Sequence, residues 1–216
     1  MEKKAVVRVN LHHPELTIQS EVWMRLKHSL LNSLANGDIV VVPTETSYML
    51  AADATSPDAV AKVFSKKNRP HSLRISVAFG TIAQTEKWVI WNSTARKIAD
   101  GFLPGPLTII LSKKKPNQYL AGIGDRDIAI RIPDQPFLRD LMVTYGKPLT
   151  ATSANTHGSE EPYNITDCVM DADFYWDAGQ LEGKQPSTVI KIQDNQFKVI
   201  RAGGILESEI RKIIAV

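Results

Sequence analysis

The sequence predicts an α/β fold in which a twisted, mixed sheet of parallel and antiparallel strands is flanked by helices. Three observations predict it. Segments with helical and strand periodicity alternate along most of the 216 residues, which is typical of helices packed on a sheet. Several strand segments are short, continuous β-branched runs, as expected of buried strands. The last two strand segments are joined by Asp194 and Asn195, a pair that favours a hairpin.

The first half of the chain predicts two helices and two strands. Residues 20–36 repeat apolar side chains at helical spacing, and a glycine follows them. The β-branched run after that glycine predicts a buried strand at 39–42. A second helix begins at Ser56, where an N-cap is followed by a proline and an acid, and it ends before Pro70. The next strand is expected at 73–79.

The second half continues the alternation. Helices are expected at 81–91, 93–101 and 136–145, with a short last helix from Glu207. Strands are expected at 107–111, 128–132, 148–152 and in a hairpin of 187–192 with 197–203.

The composition predicts one domain over residues 1–216. Of these residues 43% are hydrophobic and 23% are charged, which suits one sizeable core and is short for two. No apolar run approaches the roughly 20 residues that span a bilayer. The apolar patch near the start is interrupted by Arg8 and is too short for a signal peptide. We therefore expect a soluble, cytoplasmic protein with no membrane segment.

Cysteine content, charge and motifs narrow the classes of function. Cys168 is the only cysteine, which excludes an intramolecular disulfide and a multi-thiolate metal site. The net charge of +3 and the pI of about 8.9 are compatible with an anionic ligand or RNA, and so small an excess does not decide between them. The chain lacks the GxxxxGK[ST] phosphate loop, the GxSxG nucleophile elbow and the HExxH zinc motif.

Polar side chains follow two of the predicted strands. Thr44 and Thr46 come after the first buried strand, and Ser153 and Asn155 come after the last strand before the hairpin. In open α/β sheets, ligands bind in the crevice beyond the carboxyl ends of the strands. These four hydrogen-bonding groups would converge there if the two strands lie near each other. The alternative is ordinary turn chemistry, because Ser, Thr and Asn favour turns by bonding their own backbone.

Cationic residues stand at the end of a helix and in strands. Lys67 and Arg69 either satisfy the last helix carbonyls and the helix dipole or clamp phosphate oxygens as a point charge and a fork. Arg131 lies on the face of its strand opposite the isoleucines, so it faces either water or an anionic substrate. Arg201 ends a strand before two glycines, and Thr108 opens the strand after a Pro-Gly-Pro turn.

Seven segments with these residues occur in a fixed order: PTETSYMLAADA, KKNRP, LPGPLTIIL, IAIRIPDQP, YGKPLTATSAN, PSTVI and VIRAGG. Together they resemble the YrdC-like threonylcarbamoyl-adenylate synthases over roughly residues 20–205. One such segment would carry no weight, whereas seven in order are a specific signal. The resemblance implies the short form of the family, a single YrdC-like domain with a concave basic cleft.

The resemblance also implies an activity. Members join L-threonine, bicarbonate and ATP into threonylcarbamoyl-AMP and release pyrophosphate. Mg²⁺ is expected with the ATP, with no metal ligand from protein side chains and no covalent catalyst. A downstream tRNA threonylcarbamoyl transferase would take the product, and a direct contact of this chain with tRNA stays open.

The family motifs map onto two groups of residues. ATP binding falls to Lys67, Arg69, Thr108, Ser153, Asn155 and Arg201. Threonine and bicarbonate binding falls to Thr44, Thr46, Tyr48, Arg131, Ser187 and, through its backbone, Ala151.

The chain departs from the family pattern at several positions, Met49 and His157 among them, and these departures leave alternatives open. Met49 stands where the family usually has a glycine, and His157 replaces a serine. One alternative is a paralogue that makes a different carbamoyl adenylate. The other is a non-catalytic RNA-binding module of the same fold. The aromatic content of 7% argues against that module, because single-strand binders stack bases on aromatic side chains.

Overall fold

A mixed sheet carries the fold and positions the site. The computed structural model describes residues 5–11, 16–70, 74–115, 120, 126–168, 171–182 and 185–215. The strands in these residues are β1 (Ala5–Arg8), β2 (Val40–Pro43), β3 (Tyr48–Ala51), β4 (Ser76–Ala78), β5 (Leu107–Ser112), β6 (Asp127–Arg131), β7 (Leu149–Ser153), β8 (Phe174–Asp177), β9 (Thr188–Gln193) and β10 (Gln196–Arg201). They form a ten-stranded sheet in the order β1-β8-β2-β3-β7-β4-β6-β5-β9-β10.

Helices lie on both faces of this sheet. They are α1 (Glu21–Ala35), α2 (Pro57–Lys66), α3 (Ile82–Thr85), α4 (Ser93–Phe102), α5 (Pro136–Tyr145) and α6 (Glu207–Ile214), with a short 3-10 helix at Ile165–Asp167. Within the described part of the chain, no helix has both the length and the apolar composition that a bilayer span requires.

The strand pairings confirm the predicted mixed sheet. Pairs β1–β8, β2–β8, β4–β6 and β5–β9 are parallel. Pairs β2–β3, β3–β7, β4–β7, β5–β6 and β9–β10 are antiparallel. Because β3 is antiparallel to both of its neighbours, β2 and β7 run in the same direction, and their carboxyl ends lie at the same edge of the sheet.

The two faces of the sheet are covered differently. Apolar residues of α2, α4 and α6 pack on one face, over strands from β2 to β9. The opposite face is covered by α1 and α5 over β2, β3, β7, β8 and Ala78 of β4, and there Trp23 of α1 and Phe137 of α5 stack edge to face. Over the rest of β4 and over β5, β6 and β9 that second face is left partly exposed. The open part of this face is where a ligand can enter.

Most predicted elements are present, and local signals explain why. Ser56 caps α2 by accepting a hydrogen bond from the Ala59 amide, and Gly146 ends α5 with a φ of 72°. The hairpin turn has φ values of 51° and 58° at Asp194 and Asn195, as expected for that pair.

Two expectations are corrected. The helix expected at 81–91 is only the four residues of α3, because Val89 leaves it to pair as an isolated bridge with Lys113. The strand expected at 73–79 is Ser76–Ala78, and its first expected residue, Leu73, lies outside the described residues. Strands β1, β3 and β8 were not expected from the sequence.

Candidate functional site

A cavity of about 360 Å³ lies on the open part of the second sheet face. Residues that pair across neighbouring strands point to the same face, so the registers define the floor of the cavity: Met49, Ser153, Ala151, Ser76, Arg131 and Thr108. The cavity therefore lies over the sheet face and extends to the strand ends. The sequence analysis had expected a site only at the strand ends.

The cavity brings together both groups of predicted residues, with one exception. Its lining includes the predicted ATP residues Lys67, Arg69, Thr108, Ser153, Asn155 and Arg201. It also includes the predicted threonine and bicarbonate residues Thr44, Thr46, Arg131, Ala151 and Ser187. Segments separated by more than 100 residues thus share one space.

Tyr48 is the exception, and its expected contact with substrate is corrected. Its side chain points to the face of β3 opposite that of Met49, because successive strand residues alternate. The fully buried Tyr48 hydroxyl donates to the Gly179 carbonyl at 2.7 Å and accepts from the Ala178 amide at 2.9 Å. Burial raises the pKa of Tyr48. Tyr48 therefore anchors the 177–179 segment from behind the cavity.

Lys67 forms a clamp between the end of α2 and the end of β7. It is 1% exposed, and its ammonium donates to the Ser153 carbonyl at 2.5 Å, to the Asn155 carbonyl at 2.6 Å and to Asn155 Oδ1 at 3.1 Å. An ammonium has three N–H donors, so these contacts use all of them. Lys67 contributes its charge to the cavity and holds the loop in place, but in this arrangement it has no donor left for a phosphate oxygen.

The Asn155 side chain is also fully engaged. Its Oδ1 accepts from Ser153 Oγ at 2.6 Å in addition to Lys67, and its Nδ2 donates to the carbonyls of Ser159 at 2.6 Å and Glu160 at 2.9 Å. Asn155 therefore folds the loop after β7 back on itself. Because the Ser153 hydroxyl spends its proton on Asn155, it presents only lone pairs to the cavity.

Arg69 faces the cavity beside the same loop. Its Nη2 donates to the Arg74 carbonyl at 2.6 Å, and its Nη1 lies 3.3 Å from His157 Nδ1. The guanidinium plane is thus fixed across the cavity mouth by two segments. Arg74 and His157 also line the cavity. The sequence analysis did not select Arg74, because a lone arginine near the start of a predicted strand has no spacing signal.

A threonine pair at the other side of the cavity has a defined hydrogen-bond direction. Thr44 Oγ1 donates to the Ser47 carbonyl at 2.7 Å and lies 3.0 Å from Thr46 Oγ1. The single hydroxyl proton of Thr44 is used on Ser47, so Thr46 is the donor in the threonine pair. Arg131 Nη2 donates to Thr46 Oγ1 at 2.7 Å. Thr46 therefore presents only an acceptor to a ligand.

Glu45 is a site residue that the sequence analysis missed. Its Oε1 accepts from Arg131 Nη2 at 2.9 Å, and both side chains are only 10–12% exposed. The carboxylate neutralises Arg131 and holds its Nη2 next to Thr46. A single acid between two threonines gives no spacing signal. Only its place at a strand end, among residues already selected, could have drawn attention to it.

Ser187 links Thr108 to Arg201. Ser187 Oγ lies 2.9 Å from Thr108 Oγ1 and accepts from Arg201 Nη2 at 3.0 Å, while the Ser187 carbonyl accepts from Arg201 Nη2 at 2.7 Å. Gly203 makes this approach possible, because a Cβ there would lie 2.5 Å from the Thr188 amide nitrogen. The first glycine after Arg201 is therefore required by close backbone packing.

The cavity is electrostatically positive. Among its described lining residues the cations are Lys67, Arg69, Arg74, Arg131 and Arg201, and the carboxylate is that of Glu161. Burial, with a contribution from Arg69, lowers the pKa of Lys67 to about 8. Burial also lowers the pKa values of Arg69 and Arg201. An anionic ligand would offset this desolvation and repulsion.

The fold and the site define an α/β protein with a concave cavity, lined by several cationic side chains, over a mixed sheet. A family model described as Telomere recombination (Sua5, YciO, YrdC) matches residues 32–203. The chain therefore belongs to the Sua5/YciO/YrdC family. A Methanocaldococcus jannaschii protein, named provisionally as a threonylcarbamoyl-AMP synthase, is 40% identical over 193 residues, which are 87% of this chain and 90% of that protein.

Two solved structures are similar to this fold. Pyrococcus abyssi Sua5, complexed with L-threonine, matches with a TM-score of 0.82 and 26% identity over 97% of this chain. This chain covers only 60% of that larger protein. Escherichia coli YciO matches with a TM-score of 0.76 and 21% identity, covering 96% of this chain and 98% of its own. At that identity YciO supports the fold alone.

Proposed function

We propose that this protein is a nucleotidyltransferase that makes threonylcarbamoyl-AMP from L-threonine, bicarbonate and ATP. One observation carries the proposal. The lining of the cavity brings the cations Lys67, Arg69 and Arg201 together with the Thr46–Arg131 pair around one space. The names of the relatives, threonylcarbamoyl-AMP synthase in Bacillus subtilis among them, support the same reaction.

The proposed reaction has two bond-forming steps. The neutral amine of threonine attacks the carbon of bicarbonate and water leaves, which gives a carbamate. A carbamate oxygen then attacks the α-phosphorus of ATP, and the bond from that phosphorus to the bridging oxygen breaks, so that pyrophosphate leaves with its electron pair. No covalent enzyme intermediate is needed, and the main task is to hold two anions together.

The contacts in the cavity suit this task. Arg69 and Arg201 are guanidinium groups fixed by neighbouring carbonyls, so they can hold phosphate oxygens at little cost in side-chain entropy. Lys67 keeps the 153–159 loop folded and adds charge behind it. Thr46 offers an acceptor, which suits the amine of threonine, and the adjacent Arg131 suits its carboxylate.

Mg²⁺ on the triphosphate is part of the proposal. In the described residues no group of three His, Cys, Asp or Glu side chains is placed to hold a metal ion. The ion would therefore be held by phosphate oxygens and water, with Glu161 as the nearest lining carboxylate, and would neutralise triphosphate charge. Transfer of the product to tRNA would fall to a separate transferase.

The test is a pyrophosphate-release assay with ATP, Mg²⁺, L-threonine and labelled bicarbonate, with the product identified by mass. We expect release that needs both threonine and bicarbonate. Thr46→Ala should lower kcat/KM for threonine about tenfold or more, the effect of one charge-assisted hydrogen bond. Thr94→Ala is the matched control, because Thr94 does not line the cavity and its hydroxyl donates to the Asn195 carbonyl.

Two results would contradict the proposal. The first is the absence of threonine-dependent pyrophosphate release from a folded protein. The second is salt-dependent RNA binding with no response to ATP, which would favour a non-catalytic RNA-binding module.

A further inference from the structure

The cavity has few apolar side chains in an otherwise polar lining. Among the described lining residues, the apolar side chains larger than glycine are Met49, Ile75 and Ala151. The remaining side chains are hydroxyls, amides, charged groups and an imidazole. A methyl group on a substrate side chain is buried more favourably against these apolar side chains than against polar groups, because covering polar groups costs free energy.

Met49 and Ala151 are neighbours on the floor of the cavity, whereas Ile75 packs in the core on the opposite sheet face. Met49 of β3 pairs directly with Ser153 of β7, and Ala151 lies two residues earlier on the same face of β7. A diagonal pair of this kind is within reach of a long side chain. The floor of the cavity between the threonine side and the phosphate side is therefore set by one long and one minimal side chain.

Met49 is supported from behind. It is 3% exposed and packs in the cluster formed with α1, α5 and Trp176 of β8. The backbone of β3 is fixed by hydrogen bonding to both β2 and β7. The Met49 side chain can change its rotamer but cannot move out of the cavity lining without disturbing that cluster. It therefore limits the cavity and has little freedom to adapt to a larger ligand.

We propose that Met49 determines which amino acid the enzyme accepts, by limiting the side chain to about the size of threonine. This inference rests on the proposed function. One additional methylene on the substrate would have to displace the Met49 thioether. Discrimination of one methylene in an apolar pocket is typically 10- to 200-fold. Because methionine is flexible, we expect the lower end of this range.

The experiment compares L-threonine with its homologue (2S,3R)-2-amino-3-hydroxypentanoate, in which an ethyl group replaces the methyl. The ratio of kcat/KM for the two substrates is measured by pyrophosphate release. We expect the wild-type enzyme to prefer threonine about tenfold or more. Met49→Ala should reduce that preference by about the same factor. Met49→Val, which suits a strand, should have a smaller effect in the same direction.

Met142→Ala is the matched control. Met142 of α5 is fully buried in the same cluster as Met49 and does not line the cavity. It should lower stability by a similar amount and leave the selectivity ratio unchanged. Thermal unfolding of all variants separates loss of fold from change of selectivity, and Met49→Val provides the answer if Met49→Ala does not fold.

The possible outcomes are distinct. A wild-type enzyme without threonine-dependent pyrophosphate release overturns the proposed function and this inference with it. A working wild-type enzyme whose Met49 variants keep the wild-type ratio overturns the inference alone. An equal change of ratio in Met142→Ala also overturns it, because selectivity would then follow core stability.

Discussion

Replacing Lys67 by methionine tests the clamp that closes the cavity. The substitution removes the buried ammonium and keeps most of the side-chain volume. It deprives two carbonyls and the Asn155 side chain of a donor. Since burial and Arg69 lower the pKa of Lys67 from 10.5 to about 8, we expect the stability difference between wild type and variant to depend on pH.

The direction of this pH dependence follows from proton linkage. Between pH 8 and pH 10.5 the unfolded chain keeps a proton on Lys67 that the folded chain has released, so the folded state gains stability as the pH rises. One pKa unit corresponds to about 1.4 kcal/mol. Between pH 7 and pH 9.5, about 1.5 pH units lie above the folded-state pKa of Lys67. The unfolding free energy therefore rises by roughly 2 kcal/mol over this interval. The variant lacks this gain.

Urea unfolding of both proteins at pH 7 and pH 9.5 provides the measurement. The unfolding free energy of wild type relative to Lys67→Met should increase by about 2 kcal/mol at the higher pH. Lys66→Met is the control, because Lys66 is more exposed and pairs with Asp171 at the surface. A Lys67→Met difference that is as independent of pH as the Lys66→Met difference would refute the reasoning, since the ammonium would then not be desolvated.

Three further substitutions test other contacts of the site. Arg69→Lys cannot span both the Arg74 carbonyl and the His157 ring, so we expect the KM for ATP to rise about tenfold with the fold intact. Glu45→Gln removes the charge that holds Arg131, so the KM for threonine should rise about tenfold while the KM for ATP stays constant. Gly203→Ala forces a Cβ against backbone and should cost about 1–3 kcal/mol in thermal or urea unfolding.

Each of these predictions has a contradicting outcome. An unchanged KM for ATP in Arg69→Lys would show that ATP binding does not need the forked geometry of the guanidinium. A parallel rise in both KM values for Glu45→Gln would indicate general damage rather than loss of a threonine contact. Gly204→Ala is the control for Gly203→Ala, because a Cβ at Gly204 meets Pro106 at an ordinary 3.5 Å. Equal losses at both glycines would contradict the close-packing explanation.

The helices were predictable because their signals are local. The cap at Ser56 and the glycine after α5 lie within a few residues of the turns that they define. Strand β3 gave no such signal, because its sequence YMLA has neither the β-branched run that indicated β2 nor any alternation. That omission had consequences. Without β3 the direction of β2 relative to β7 was undetermined, so the convergence of Thr46 with Ser153 could only be stated conditionally.

The same omission explains the misplaced tyrosine. Once β3 is known to include Tyr48 and Met49, alternation alone places their side chains on opposite faces. The sequence analysis placed both Tyr48 and Met49 next to the same pocket. The internal engagement of Lys67 was unpredictable for a different reason: its acceptors lie 86 and 88 residues away. A cation at a helix end carries no local information about carbonyls in another strand.

The hydroxyl groups of the cavity are not interchangeable, and this affects how the protein could orient the reactants of a reaction that uses no protein nucleophile. Thr46 and Ser153 each spend their proton on a neighbouring side chain, so both face the ligand as acceptors. Beside Thr46, the Arg131 guanidinium is therefore a donor that a ligand can use, whereas the Thr46 and Ser153 hydroxyls are not. Acceptors and cations placed in this way distinguish the amine of a substrate from its anionic groups. The amine can then point toward Thr46 while the phosphates lie near Arg69, and the two reactants meet in one orientation.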